Sequence, residues 1–333
     1  MTTPSSRLFR PIARITPVEA AEWIAWRIAN AMPTSVLRLG DGEFSILGYG
    51  NESPVDHTLK ALRIWMGDQY QRLTEPEIQR LANDLRQAVH NANLIGIPRP
   101  SRQQREAECS YVDAIFRNYG LRRRGQIFTD SGLHHFLQLS LSFGQFLHGL
   151  PFLGLITPRD VAEDLRIMFS IGHMCRYDIP EERIHFSAPA ESLSGREQGD
   201  AGRSAVHYPD RYEELIREIQ VPFRGAVFLV GAGAFGKVYC EVIRRQGGIA
   251  LDIGSLFDAW AGISSRRRIR ELGEKFSMTS YAKRYSLKER MDRLQASIQG
   301  TYLRDRVEPS ELRFLCSYEP TRLCITKLYS RLG

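Results

Sequence analysis

The chain has 333 residues, 43% of them hydrophobic and 25% charged, and a formal net charge of +7. That apolar content excludes a largely disordered protein, and the longest apolar stretch, Phe146 to Ile156, is broken by His148, Gly149 and Pro151, short of the roughly 20 residues a membrane span requires. The charge is uneven: residues 263–306 hold twelve Lys and Arg against five Asp and Glu, while the rest of the chain holds 33 of each sign.

The N-terminus mixes Arg7, Arg10 and Arg14 with Pro4 and Pro11 and has no apolar core, so no secretory leader is expected. Apolar residues at helical spacing (Ala21, Ile24, Ala25, Ile28) predict a helix over 20–32. Ser35 to Leu39 reads as a strand that runs into a Gly-Asp-Gly turn. Helices are predicted over 57–73 and 76–91, the second opened by Glu75-Pro76. Strand and helix then alternate: strand 93–97, helix 104–119, strand 126–129, helix 131–147, strand 152–157, helix 158–170 and strand 183–187. Residues 188–207 have no period and predict a long loop, of the kind used as an active-site lid. After it come helix 210–219, strand 226–230, helix 235–246 and strand 249–253. Further β-like runs stand at 312–316 and 323–328. This alternation predicts an α/β, Rossmann-like fold, a mostly parallel sheet with helices on both faces. The expected division is a catalytic domain over 1–262 and a basic, mainly helical C-terminal extension over 263–333.

Two motifs carry chemistry. Gly231-Ala-Gly233-Ala-Phe-Gly236 sits between a predicted strand and a predicted helix, where glycines allow a tight turn and the helix N-terminus offers N–H groups to phosphate. Asp252 closes the next strand, at the spacing of an acid that holds a ribose hydroxyl in dinucleotide-binding units. Packing alone could also demand such a glycine turn. The second motif is Arg38-Leu-Gly40-Asp41-Gly42-Glu43. Read as extended backbone, it points Asp41 and Glu43 the same way, and two like charges on one face call for a cation such as Mg²⁺ or Mn²⁺. The alternative is an Asp-Gly turn in which Glu43 caps the next segment. Together the motifs suggest a metal-bridged diphosphate between an acid turn and a glycine turn.

The run Arg38-Leu-Gly-Asp-Gly-Glu-Phe44 resembles the Asp-x-Glu turn of the bacterial GT-D-fold glycosyltransferases. Val230 to Gly236, continued through Asp252-Ile-Gly254-Ser255 to Asp258-Ala-Trp260, is similar to that family's glycine loop and Asp-Ile-Gly segment, which is often followed by His where this chain has Ser255. The resemblance spans about 35–262. It implies transfer of a sugar from a UDP-sugar donor to a glycan or glycoconjugate acceptor, with Mn²⁺ or Mg²⁺ held by Asp41 and Glu43. With it, Asp41, Glu43 and Asp252 are the candidate catalytic residues. Arg38, Gly40, Gly42, Gly231, Gly233, Gly236, Ser255 and Asp258 are the candidate nucleotide-sugar contacts.

Two other readings stay open: an NAD(P)-dependent oxidoreductase built on the glycine turn and Asp252, and a non-catalytic nucleotide- or nucleic-acid-binding protein. The basic segment has few interleaved aromatics, which disfavours nucleic acid and suits a weak peripheral contact with an anionic inner membrane face. The five cysteines (109, 175, 240, 316 and 324) have no C-x-x-C spacing and predict reduced thiols in a cytoplasmic protein. His134 and His135 follow an Asp130-Ser131 helix start, and His173 with Cys175 lacks a second pair for a metal. Glu191, Arg196, Arg203 and His207 lie on or at the end of the long loop, and Trp260 is the tryptophan best placed to reach the site.

Overall fold

The structure, a computed structural model, describes residues 12–98, 105–180, 207–264, 267–289 and 292. The chain divides into two compact units, Met1–Ala282 and Lys283–Gly333. The first unit is built on a seven-stranded, all-parallel sheet: β1 (Thr34–Arg38), β2 (Leu94–Ile97), β3 (Ile127–Asp130), β4 (Phe152–Ile156), β5 (His173–Tyr177), β6 (Val227–Val230) and β7 (Ile249–Asp252). Their spatial order is β3-β2-β1-β7-β6-β4-β5. The predicted α/β, Rossmann-like class is the class observed.

Two of the longer helices begin at capping boxes that satisfy their first N–H groups. Thr16 caps α1 (Pro17–Ala29) in a reciprocal box with Glu19, with Pro17 at the first helical position. Helix α2 is Asp41–Leu47 and α3 is Val55–Met66, which runs into a 3₁₀ segment, Gly67–Arg72. Thr74 and Glu77 form the same box at α4 (Glu75–Asn91), whose Ile78, Leu81, Ala82, Leu85, Ala88 and Val89 are buried at helical spacing. The chain continues through α5 (Arg105–Asn118), α6 (Leu133–Leu139), α7 (Ser142–Leu147), α8 (Ala162–Phe169), α9 (Tyr212–Glu218), α10 (Phe235–Arg245) and α11 (Leu256–Trp260). Where one helix was predicted over 131–147, Leu141 takes a left-handed conformation (φ 61°) and divides it into α6 and α7.

Because strand side chains alternate, the sheet has two apolar faces. Leu37, Ile95, Phe128, Phe228 and Ala250 pack with α4 and α10 in one core cluster. Val36, Leu94, Leu153, Leu155, Leu229 and Leu251, at the alternate positions, are buried as well. Gly154 leaves room for a neighbour: a Cβ there would lie 2.1 Å from Phe228 Cδ1. Strand β5 was not predicted; its His-Met-Cys-Arg-Tyr run is half exposed at the sheet edge and lacks the apolar continuity of the inner strands. The predicted strands at 183–187, 312–316 and 323–328 and most of the 188–207 loop lie outside the described residues. Among the described residues no helix is long and apolar enough to cross a membrane.

The sheet order fixes the place of the site. From β1 the chain steps outward to β2 and β3, then crosses over and returns through β6 to β7, so β1 and β7 are neighbours reached from opposite directions. The carboxyl ends of such a pair form the crevice where open α/β sheets bind ligands.

Candidate active site

A cavity of about 920 Å³ opens at this crevice. It is lined by the Arg38–Glu43 turn, the glycine turn from Gly231 to Gly233, Lys237, His134, Arg159, and the Gly254–Asp258 segment. The fold thus brings together the two motifs, which lie far apart in sequence.

Strand β1 ends at Arg38, whose backbone N donates to Asp252 Oδ2 (3.2 Å) while its Nε donates to the Asp252 carbonyl (3.0 Å). Its Nη2 lies 3.5 Å from Asp252 Oδ1, and its Nη1 lies within 3.0 Å of the His134 ring nitrogens. The guanidinium needs the space next to Gly254, where a Cβ would stand 2.1 Å from Nη2.

The acid turn differs from its reading as extended backbone. Asp41 begins α2, so Asp41 and Glu43 occupy a first helical turn. Residues two apart on a helix are separated by about 200° and do not share a face. The Asp41 side chain is exposed. Glu43 turns inward: its Oε2 accepts from Gly40 N (3.0 Å), as the capping alternative expected, and its Oε1 lies 2.7 Å from Lys237 Nζ. A Cβ on Gly42 would come within 2.8 Å of Trp65, so glycine lets α2 close against α3.

Lys237 follows the third glycine of the loop and is 2% exposed. Its Nζ reaches Glu43 Oε1 at 2.7 Å, Asp252 Oδ2 at 3.0 Å and the Gly233 carbonyl at 2.8 Å. Burial alone would raise the Glu43 and Asp252 carboxyls, but the ammonium overrides it for both, aided by Arg38 at Asp252, and holds them below the ordinary range. Burial pulls Lys237 down; Asp252 and Glu43 outweigh it and hold the amine above its usual value. All three groups are charged at neutral pH.

Fitted against these distances, Asp41 and Glu43 do not form a two-carboxylate metal site. Both Glu43 oxygens are engaged by protein donors, and Asp41, two residues away on the same helical turn, is exposed. Among the described residues no three His, Cys, Asp or Glu side chains assemble into a set that could hold a metal ion. Asp252, expected on a ribose hydroxyl or in catalysis, is instead 3% exposed beneath Lys237 and Arg38.

The glycine turn keeps its expected place between β6 and α10. Gly233 is left-handed (φ 52°), and a Cβ on Gly231 would lie 2.4 Å from Phe257. Gly236 packs near Val230, where a Cβ would find 3.1 Å. Ser255 is the N-cap position of α11, and Asp258 Oδ1 accepts from Arg159 Nε at 2.7 Å. Arg159, at the carboxyl side of β4, is buried at the cavity wall and was not singled out from the sequence. His207 also reaches the wall; its Nε2 pairs with Tyr239 Oη at 2.8 Å, and burial, with Arg211 nearby, pushes its pKa down to about 3. Trp260 does not line the cavity: it is 2% exposed and donates to Gln138 Oε1 at 3.1 Å. Glu191, Arg196 and Arg203 lie outside the described residues.

Residues 15–159 match the GT-D-like family model, described as a GT-D fold-like domain. The matched GT-D-like stretch includes the acid turn, His134 and Arg159, and ends before the glycine turn. The chain is also similar to three solved structures. One is a selenomethionine-substituted domain of unknown function 1792, with 15% identity and a TM-score of 0.47 over 75% of this chain and 80% of that one. A second structure of that domain, described as having a distinct glycosyltransferase fold, shows 16% identity and a TM-score of 0.47 over 79% and 83%. The third is a glycosyltransferase (DUF1792) from Streptococcus sanguinis, at 14% identity and a TM-score of 0.46 over 74% and 82%. No curated protein matches the chain significantly.

Proposed function

We propose that the chain is a glycosyltransferase that moves a sugar from a nucleotide sugar, a UDP-sugar, to a glycan or glycoconjugate acceptor. The observation that carries this reading is the meeting of the glycine turn and the Asp-x-Glu turn of a GT-D-like domain in one cavity at the β1/β7 crevice. In such a transfer the acceptor oxygen bonds to the anomeric carbon as the bond from the sugar to the diphosphate breaks, the electrons of the broken bond leave on the diphosphate, and the acceptor proton passes to the departing diphosphate or to water. The N-terminus of α10, Arg38 and Arg159 all border that cavity, so backbone N–H groups and guanidinia are at hand to stabilise the departing charge. The burial of Asp252 favours this over the oxidoreductase reading, because the acid is 3% exposed beneath Lys237 and Arg38 and does not line the cavity where a ribose would lie.

Calorimetry with UDP, UDP-sugars, NADH and NADPH tests it. UDP and at least one UDP-sugar are expected to bind and both nicotinamide cofactors to fail. Binding of NADH with no response to UDP would replace the transferase by the oxidoreductase. The basic character of residues 263–306 fits an acceptor met at an anionic membrane face.

A further inference from the structure

An ammonium carries three protons, and three oxygens lie within 3.0 Å of Lys237 Nζ. The three oxygens come from separate parts of the chain: Glu43 in the first turn of α2, Asp252 at the end of β7, and the carbonyl of Gly233 in the glycine turn. Arg38 adds a second positive charge beside Asp252, so two cations balance two carboxylates at and just beneath the cavity wall. A buried positive centre wrapped by oxygens from several segments is the arrangement a hard metal ion would create. Here the side chain of α10 supplies it. A divalent ion entering between Glu43 and Asp252 would have to expel an ammonium that is 2% exposed and leave it buried without its partners.

We propose that Lys237 is the resident cation of the Glu43–Asp252 pair, a fixed ammonium that ties the glycine turn to the acid turn, so that the donor diphosphate binds without a divalent ion between those carboxylates. The positioning half of this inference rests on the nucleotide-donor reading; the cation half does not. Lys237 acts through the backbone it holds, since its ammonium donates to three protein oxygens. Glu43 is then an anchor for that ammonium.

The test titrates Mn²⁺ into the full chain without nucleotide, read by the paramagnetic resonance of free Mn²⁺ and by thermal melting. The wild type is expected to take up no Mn²⁺ at the acid pair up to roughly millimolar concentration, and Glu43→Gln to leave the titration unchanged. Lys237→Ala, which removes the ammonium and leaves space, is expected to gain one Mn²⁺ that raises its melting temperature, and Glu43→Gln added to it abolishes the gain. A wild-type Mn²⁺ site that Glu43→Gln removes overturns the proposal, as does a folded Lys237→Ala variant that takes up no Mn²⁺. If Lys237→Ala does not fold, the wild type and Glu43→Gln decide between themselves. UDP calorimetry in EDTA and in Mn²⁺ runs in parallel. Affinities within about twofold support the proposal, and UDP binding that needs Mn²⁺ together with Glu43 overturns it. UDP binding in neither condition refutes the nucleotide donor, while the Mn²⁺ titration still decides the role of Lys237.

Discussion

Replacing Lys237 by Met keeps nearly the volume of the side chain and removes its charge. Glu43 Oε1 and Asp252 Oδ2, now 2.7 and 3.0 Å from an ammonium, would face each other across an apolar thioether. Removing one partner of a buried ion pair costs about 3–5 kcal/mol. Asp252 keeps Arg38 and Glu43 keeps the Gly40 N–H, so the lower end, about 3 kcal/mol, is expected at pH 7. In a domain of this size that lowers the melting temperature by about 6–12 °C. The pH dependence tests the cause. In the wild type both carboxyls are held below their ordinary values, so their contribution is present above about pH 4 and is lost as pH falls through the lowered folded values. Lys237 is held above its ordinary value, so its contribution is present below about pH 10 and is lost as pH rises through the raised one. In Lys237→Met, burial without the ammonium raises the carboxyls, and protonation then relieves the variant as pH falls. Urea denaturation of both proteins from pH 7 to pH 4 should show the gap narrowing. A gap under about 1 kcal/mol at pH 7, or one of equal size at both ends, would refute the reasoning.

Gly233→Val places a branched side chain at φ 52° beside the expected phosphate, so UDP affinity should fall at least about tenfold in calorimetry while circular dichroism still reports a folded chain. Gly154→Ala should cost about 1–3 kcal/mol in urea denaturation, because its methyl would overlap Phe228, and a neutral result would mean the strands can part. Arg159→Ala strips Asp258 of a partner at 2.7 Å and should lower transferase turnover more than it raises the donor KM; an unchanged rate would remove Arg159 from the site. Flotation should show the full chain on anionic liposomes at low salt and released at high salt, and equal binding to neutral liposomes would assign residues 263–306 no electrostatic role.

The inner strands were legible because each is a short apolar run buried on both faces, as in Val227–Val230 and Leu94–Ile97. The edge strand β5 was not, since none of its residues is fully buried and its sequence has no clear period. Helix α2 was hidden by its own start: Gly-Asp-Gly reads as a turn, and seven residues are too few to display a period. The glycine turn was legible from its flanking strand and helix. The role of Asp252 was not, because spacing reports where an acid stands and says nothing of which cation covers it. Lys237 gave little warning, since a lysine in an amphipathic helix ordinarily faces water. Its position directly after the last glycine of the turn was the available signal.

Arg38 and Gly254 share one volume: the guanidinium fills the place a side chain at 254 would take, its Nη2 2.1 Å from that absent Cβ. The two positions are therefore coupled. A larger residue at 254 would push the end of the arginine side chain aside, away from Asp252 and His134, and would itself carry the strain of a left-handed φ of 51°. Growth at 254 thus loosens the arginine's hold on the end of β7 even where the chain still folds.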